Sequence, residues 1–191
     1  MNTIKENVTF KQEIDKSIFI TELIKIKNVS DIKEKINEIK EKYKDATHYC
    51  YAYIVDDNKK SSDDGEPGGT AGVPMMEVLL KKELNYILCV VIRYFGGIKL
   101  GSGGLVRAYS SSVSNAIQND NIVSLSDGYR IFFKIDYKDQ KQIEYIIKDN
   151  KYKKTYDEYV NYEVLIKEKD IHILDELKLK YDIISKEKIE D

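Results

Sequence analysis

The fold of this chain is decided by residues 61–109, which read SSDDGEPGGTAGVPMMEVLLKKELNYILCVVIRYFGGIKLGSGGLVRAY. Nine of the ten glycines and both prolines lie between Gly65 and Gly104, whereas the rest of the chain is rich in lysine, glutamate and isoleucine. Glycine is used where φ must be positive or where one backbone segment must approach another group closely. The concentration therefore indicates two demanding turns, a binding surface, or both.

Composition predicts a globular protein of one or two domains. Hydrophobic residues make up 42% of the 191 residues, which is enough for real cores. The formal net charge of −2 provides no global basic field that would demand nucleic acid. The first ten residues contain no signal-peptide core, and no apolar run approaches the ~20 residues of a membrane helix, so we expect a cytoplasmic protein.

The two cysteines, Cys50 and Cys89, each lie within an apolar, strand-like segment. Their wide separation gives neither a disulfide framework nor a zinc pattern, so we expect buried, reduced thiols. His48 is expected to be a hydrogen-bonded structural histidine, because the other histidine lies far along the chain. No nucleophile with a nearby base is evident in the sequence.

Apolar periodicity predicts alternating strands and helices before residue 121. Residues 7–27 read as a β-hairpin with Asp15 and Lys16 at its turn. Ser30 is positioned to cap the helix that follows, and Ser102 to cap a later one. The predicted segments are a helix from Asp31, a strand over 47–55, a helix over 73–83 with Pro74 in its first turn, a central strand over 86–92, and a helix over 103–119 that buries a row of small residues, Ala108, Ser112 and Ala116.

The composition changes after Asn121, and from Gly128 onward the order is strand, helix, strand, strand, helix, strand. This βαββαβ order is the ferredoxin-like pattern. We therefore predict an α+β protein with two domains, residues 1–125 and residues 126–191, whose boundary falls within residues 124–128.

Charge is unevenly distributed within and around the glycine-rich stretch. Aspartates and a glutamate crowd the segment before residue 67, whereas residues 84–119 contain no acidic residue at all. A helix that begins after a glycine-rich loop offers free backbone N–H groups, which with nearby cations would hold an anion. The predicted anion- or partner-binding residues are Arg93, Gly96, Gly97, Lys99, Gly101, Ser102, Gly103, Gly104 and Arg107. The alternative is that the glycines only shape a turn and that the basic residues pair with the acidic segment.

The acidic segment, SDDGEPGGT, admits three interpretations. Asp63, Asp64 and Glu66, followed by Thr70, provide oxygen ligands of the kind that Mg²⁺ prefers. The same letters are good turn chemistry, since aspartate, glycine and proline all favour turns. The third interpretation is that the carboxylates face Arg93 and Lys99 and hold the two loops side by side. The GSGG segment is not a nucleotide-binding P-loop, because the Gly-Lys-Ser/Thr sequence that completes that motif does not follow it.

The motifs DDGEPGGTAGVPMMEVL and VVIRYFGGIKLGSGGLVRAYSSSV, with ATHYCYAY upstream, closely resemble the signature of the YigZ/IMPACT family. The resemblance covers residues 7–121, and the remainder looks like the small ferredoxin-like domain of bacterial members. Gly69 departs from it, since a small hydroxyl residue is expected there. The resemblance implies an N-terminal domain of the ribosomal-protein domain-2-like type, with a left-handed βαβ crossover. Both domains together would be similar to domains IV and V of elongation factor G.

The resemblance also implies a role in translation, because eukaryotic relatives restrain a stress kinase through protein–protein binding. We expect a non-enzymatic binding or regulatory protein that contacts RNA, the ribosome or an acidic protein partner through the glycine-rich basic loop, with no cofactor and no membrane. The alternative is an enzyme acting on a phosphorylated or anionic small molecule with a metal in the acidic loop. A third hypothesis is a regulator that binds protein alone through the same surface.

Overall fold

The computed structural model describes residues 1–191 and divides them into two compact units, Met1–Ser124 and Leu125–Asp191. The helices and two antiparallel sheets confirm the predicted two-domain α+β fold. The division lies within the predicted boundary region, residues 124–128, and one residue before the predicted domain limit at residue 125. The domain limits 1–125 and 126–191 stay a prediction. No helix is both long and apolar enough to span a membrane.

The first unit contains one five-stranded antiparallel sheet with three helices. Its elements are β1 (Asn2–Ile4), β2 (Val8–Ile14), β3 (Ser17–Lys25), α1 (Ile32–Lys42), β4 (His48–Val55), β5 (Asn58–Ser62), α2 (Gly72–Lys81), β6 (Ile87–Tyr94) and α3 (Gly101–Ala116). The sheet order is β2-β3-β6-β4-β5. Because β3 and β4 are both antiparallel to β6, they run parallel to each other, and α1 makes the crossover between them.

The central strand β6 is buried on both faces, as its continuous apolar run predicts: no residue from Ile87 to Ile92 is exposed. On one face the sheet packs against α2 and α3, and on the other against α1. The side chains of β4 alternate between these two cores as predicted, with Cys50 and Ala52 on the first and Tyr51 and Tyr53 on the second. The buried row of small residues on α3 is also confirmed.

Both predicted serine caps are wrong. A short 3₁₀ turn over Val29–Asp31 precedes α1, so Asp31 is the cap residue and the Ser30 hydroxyl bonds to the Asp31 side chain instead. Helix α3 begins two residues earlier than predicted, with Leu100 at the N-cap, which places Ser102 inside the first turn. Two short strands, β1 and β5, are absent from the prediction because neither has an apolar alternation that distinguishes it from a loop.

The second unit has the ferredoxin-like topology that its element order predicts. Its elements are β7 (Ile122–Ile135, of which residues 122–124 belong to the first unit and pair there with β1), α4 (Gln140–Ile146), β8 (Lys151–Tyr156), β9 (Val160–Lys167), α5 (His172–Glu176) and β10 (Tyr181–Glu190). The antiparallel strand order is β10-β7-β9-β8. Its core is built from alternate residues of β7 and β9, including Phe133 and Tyr162, together with Ile143 of α4 and Leu174 of α5.

Gly96 sits where the backbone after β6 crosses the β2–β3 turn. A Cβ atom at this position would lie 2.0 Å from the carbonyl carbon and oxygen of Lys16, and both are backbone atoms that cannot rotate away. We expect Gly96→Ala to lower the free energy of unfolding by about 1–3 kcal/mol, because relieving the clash needs a backbone shift. Urea denaturation followed by circular dichroism measures this.

The matched control is Gly68→Ala, because a Cβ atom on Gly68 would have no neighbour within 4 Å. We expect its unfolding free energy to stay within about 0.5 kcal/mol of the wild type. Equal effects of the two substitutions would show that the close approach of Gly96 to Lys16 is not a constraint on this fold.

Candidate functional site

The sheet brings the two glycine-rich loops together. The acidic loop, residues 63–71, joins β5 to α2, and the basic loop, residues 95–100, joins β6 to α3. Strands β5 and β6 both pair antiparallel with β4, so they run in the same direction and end on the same side of the sheet. The two loops therefore leave the sheet at one end, although α2 and β6 separate them in the sequence.

A buried ion pair joins the acidic loop to the end of β6, directly before the basic loop. We call Glu66, Arg93 and the residues around them, Ser17, His48, Cys50 and Tyr109, the loop joint. Arg93, at the end of β6, donates from Nη1 to Oε1 of Glu66 in the acidic loop at 2.6 Å, and both side chains are at most 5% exposed. The same Glu66 oxygen accepts a hydrogen bond of 2.8 Å from the hydroxyl of Tyr109 on α3. This confirms the interpretation that acidic-loop carboxylates hold the loops side by side, for Glu66 and Arg93. Lys99, the other predicted partner, has no carboxylate within ion-pair distance.

Arg93 is enclosed on its remaining sides. Its guanidinium carbon lies 5.4 Å from the ring centroids of both Phe19 and Phe95, and Nη2 donates to the Ser17 hydroxyl at 3.3 Å. Nε is buried without a hydrogen-bond partner. The sequence predicts Arg93 as an anion-binding residue of an exposed surface, and the structure corrects this, because the guanidinium is engaged inside the first unit.

Asp63 organises the acidic loop and the start of α2. Its carboxylate accepts three backbone N–H groups, from Gly69 at 2.8 Å, Ala71 at 3.0 Å and Gly72 at 2.8 Å. Burial by itself raises the pKa of this carboxyl, but the three N–H donors outweigh burial and bring the pKa below its ordinary value. Gly69 has φ of +76°, a conformation that glycine adopts without strain, which accounts for a glycine where the family resemblance predicts a hydroxyl residue.

The other polar residues of the acidic loop also have partners within the protein. The carboxylate of Asp64 accepts the backbone N–H of Tyr49 at 2.7 Å, and Thr70 is buried with its hydroxyl donating to the carbonyl of Pro67 at 2.7 Å. Asp63, Asp64 and Glu66 thus face different donors, and no three His, Cys, Asp or Glu side chains are grouped so as to hold a metal ion. The arrangement does not support the hypothesis of a metal site in this loop.

His48 and Cys50 line the inner side of the loop joint. His48 Nδ1 lies 2.8 Å from the carbonyl oxygen of Asp64, and Nε2 lies 3.8 Å from Oε2 of Glu66. Cys50 Sγ lies 2.9 Å from the carbonyl oxygen of Asp63 and 3.3 Å from the Tyr109 hydroxyl. Burial raises the pKa of Cys50 to about 12, so the thiol stays protonated and is a poor nucleophile. Both cysteines are free and buried, as predicted.

The outer side of the basic loop and the first turns of α3 form an exposed surface that we call the loop surface. It presents Lys99 and Arg107, neither of which has an ion-pair or hydrogen-bond partner within the chain, and the exposed apolar side chains Phe95, Ile98 and Val106. No side chain caps α3 and no acidic residue lies in its first turn, so the N–H groups of Gly101, Ser102 and Gly103 have neither an intrahelical nor a side-chain acceptor. Gly96 is half-buried and Gly97 is exposed.

The sequence did not predict that Ser17, Cys50 and Tyr109 belong to the loop joint. Ser17 accepts from both Arg93 and the backbone N–H of Gly96, at 3.3 and 3.2 Å. The only sequence signal for Tyr109 is its place on the apolar face of α3, next to Ala108. The local sequence pattern cannot show that the Tyr109 hydroxyl has a buried hydrogen-bond partner, because that partner, Glu66, lies 43 residues away in the sequence.

Comparison with known proteins places these loops in a family. The family model described as the Impact N-terminal domain matches residues 15–117, which is more than half of the chain and includes both loops. The chain belongs to the IMPACT family. Its resemblance to that family, predicted from the two loop motifs, is therefore confirmed.

Several IMPACT family members align with the chain at similar identity. YvyE of Bacillus subtilis is 39% identical over 180 residues, covering 91% of this chain and 83% of the relative. YigZ of Escherichia coli is 43% identical over 116 residues, covering 58% of this chain and 57% of the relative. The YvyE match extends beyond the Impact N-terminal domain, so similarity to the IMPACT family includes residues of the second unit.

Two solved structures were compared with the chain. A crystal structure of a hypothetical protein is 31% identical, covers 96% of this chain and 97% of its own, and has a TM-score of 0.62. It supports the two-unit α+β architecture. The two-domain translational regulator Yih1 is 19% identical over 60% of this chain and 46% of its own, with a TM-score of 0.34, a similarity too low to bear on this chain.

We expect Asp63→Asn to lower the free energy of unfolding at neutral pH by about 1–3 kcal/mol, because the amide nitrogen cannot accept and the neutral side chain loses the charge that strengthens its bonds to the three N–H groups. The loss should depend on pH. The folded-state pKa of Asp63 is depressed, so its contribution is present above the unfolded-state pKa of about 3.9 and disappears as pH falls through the folded value. Urea denaturation of both proteins between pH 3 and pH 7 measures the difference.

Asp57→Asn is the control, because Asp57 is exposed and its side chain has no partner in the chain. It should change the unfolding free energy by less than about 0.5 kcal/mol at every pH. A pH-independent difference between wild type and Asp63→Asn would contradict the role assigned to the charged carboxylate.

Proposed function

We propose that this IMPACT-family chain is a non-enzymatic binding protein linked to translation, and that its loop surface contacts RNA on the ribosome. The observation that carries the proposal is the loop surface, where two unpaired cations, uncapped backbone N–H groups and an exposed aromatic residue lie within a segment free of carboxylates. The link to translation comes from family membership and from the control of translation attributed to eukaryotic relatives.

The surface has the components of a weak, sequence-independent RNA contact. Lys99, Arg107 and the first N–H groups of α3 suit phosphate, because cations and helix N-termini both attract anions. Arg107 lies close to the N-terminal turn, with its Nη1 3.5 Å from where a Cβ atom of Gly103 would be. A cation so close to the positive end of the helix dipole is mildly unfavourable, unless an anion binds to both the cation and the helix N-terminus.

Phe95 favours RNA over an anionic small molecule. The residue is 45% exposed at the start of the basic loop, and exposed aromatic residues are the usual stacking platforms for unpaired bases. An enzyme on a phosphorylated small molecule would need an acid, a base or a metal at the same place. The carboxylates of the acidic loop instead face the protein's own N–H and guanidinium groups, which gives the enzyme alternative no comparable support.

Two cations set the expected strength. With two phosphate contacts, the logarithm of the association constant should fall with the logarithm of salt concentration with a slope of about −1.5. We expect Lys99→Ala with Arg107→Ala to weaken binding to ribosomes and to single-stranded RNA at 50 mM salt by at least tenfold and to remove most of that slope. Co-sedimentation with ribosomes and fluorescence anisotropy with a labelled RNA measure both quantities.

The control is Lys11→Ala with Lys81→Ala, which removes the same charge from exposed lysines of β2 and α2. It should leave both measurements within twofold of wild type. Unchanged ribosome retention in the Lys99 and Arg107 variant would contradict the proposal. Retention that survives nuclease treatment of the ribosomes would show instead that the partner of the loop surface is a protein.

A further inference from the structure

A second candidate surface lies on the opposite face of the same sheet from α2 and α3. A groove of about 370 Å³ runs between α1 and the strands β4 and β5. The loop surface uses none of the residues of this groove, so a ligand bound here would be independent of the proposed function.

The groove has an aromatic floor and an aliphatic wall. Tyr51 and Tyr53 of β4 form the floor, with ring centroids 6.5 Å apart and planes inclined by 9°. Ile32 and Ile36 of α1 form the wall, and Val29, which is 39% exposed, stands at the mouth. Such a floor suits large apolar side chains, which gain most from burial against aromatic rings.

One side of the groove is an open sheet edge. The sheet order ends at β5, so the outward backbone groups of Asn58–Ser62 have no neighbouring strand. The strand is polar and exposed, which suits an edge that must stay soluble. An exposed edge strand beside a helix is the arrangement in which a domain binds an extended peptide as an added strand, with alternate side chains entering the groove between edge and helix.

Charge identifies the kind of peptide. The charged residues that line the groove are Lys33 on α1 and Lys60 on β5, and no carboxylate lines it. Neither lysine has an ion-pair partner within the chain. Because the register pairs Lys60 with Tyr53, the Lys60 side chain lies on the same face of the sheet as the aromatic floor. Two unpaired cations beside an apolar floor are complementary to an acidic segment that carries apolar anchors.

We propose that this groove binds an extended, acidic segment of a protein partner, which adds a strand to the free edge of β5. Alternate aliphatic or aromatic side chains of the segment contact Tyr51 and Tyr53. Its carboxylates contact Lys33 and Lys60, which stand on opposite sides of the groove.

The probe is a fluorescein-labelled octapeptide of sequence SVSESVSE, measured by anisotropy against the full chain. Its valines and glutamates occupy every second position, so in an extended strand they all lie on the one face that enters the groove. We expect saturable binding that Lys33→Glu with Lys60→Glu weakens by at least tenfold. The matched control is Lys11→Glu with Lys81→Glu. Each Lys→Glu exchange lowers the net charge by two, so both double variants move from −2 to −6, and the control should bind within twofold of wild type. Circular dichroism of all variants verifies the fold.

Strand addition is tested separately by amide hydrogen exchange. Bound peptide should slow exchange within β5 relative to the other edge strand, β2, and an octapeptide with N-methylated backbone amides should bind at least tenfold more weakly. Absence of saturable binding, equal weakening in both double variants, or exchange that is unchanged in β5 would overturn the proposal. Full displacement of the peptide by an equal concentration of an RNA octamer would also overturn it, since the groove would then be a site for nucleic acid.

Discussion

The buried ion pair between Glu66 and Arg93 is the interaction on which the first unit of this protein depends. Burial of two charges is costly, and a single pairing seldom offsets the loss of water. Here Tyr109 donates to the same carboxylate and Ser17 accepts from the guanidinium, so both charges have additional partners. Glu66 lies in the acidic loop after β5, and Arg93 lies at the end of β6 just before the basic loop. The ion pair between them therefore holds these two loops next to each other.

This pairing also divides the basic residues of the glycine-rich stretch by role. Arg93 lies inside, between two phenylalanine rings, where it is part of the structure. Lys99 and Arg107 lie outside and have no ion-pair partner, and the carboxylates of the acidic loop are engaged with backbone N–H groups or with Arg93. An exposed cationic surface on a protein of slightly negative net charge follows from that division. In this chain the glycine-rich stretch thus has a buried part around Arg93, which stabilises the fold, and an exposed part with Lys99 and Arg107.

Much of the fold could be predicted from local pattern, and much of the site could not. Alternation along β4, the continuous apolar run of β6 and the βαββαβ order each reflect one element at a time, and each prediction was confirmed. Polar strands such as β5 lack that signal. Whether Arg93 faces solvent or Glu66 depends on a contact across 27 residues, which no local pattern records. The two predicted serine caps were wrong for different reasons. Ser30 lies within a 3₁₀ turn that precedes α1, and α3 begins early enough that Leu100, not Ser102, is its N-cap residue.

The most direct test of this account is a double-mutant cycle on the free energy of unfolding with Glu66→Gln, Arg93→Gln and the double variant. We expect each single substitution to lower the free energy by about 3–5 kcal/mol, since each leaves a buried charge without its partner. The double variant should be destabilised by less than the sum of the two, with a coupling energy of about 1–3 kcal/mol. Additive effects of the two substitutions would contradict the claim that this pair holds the loops together.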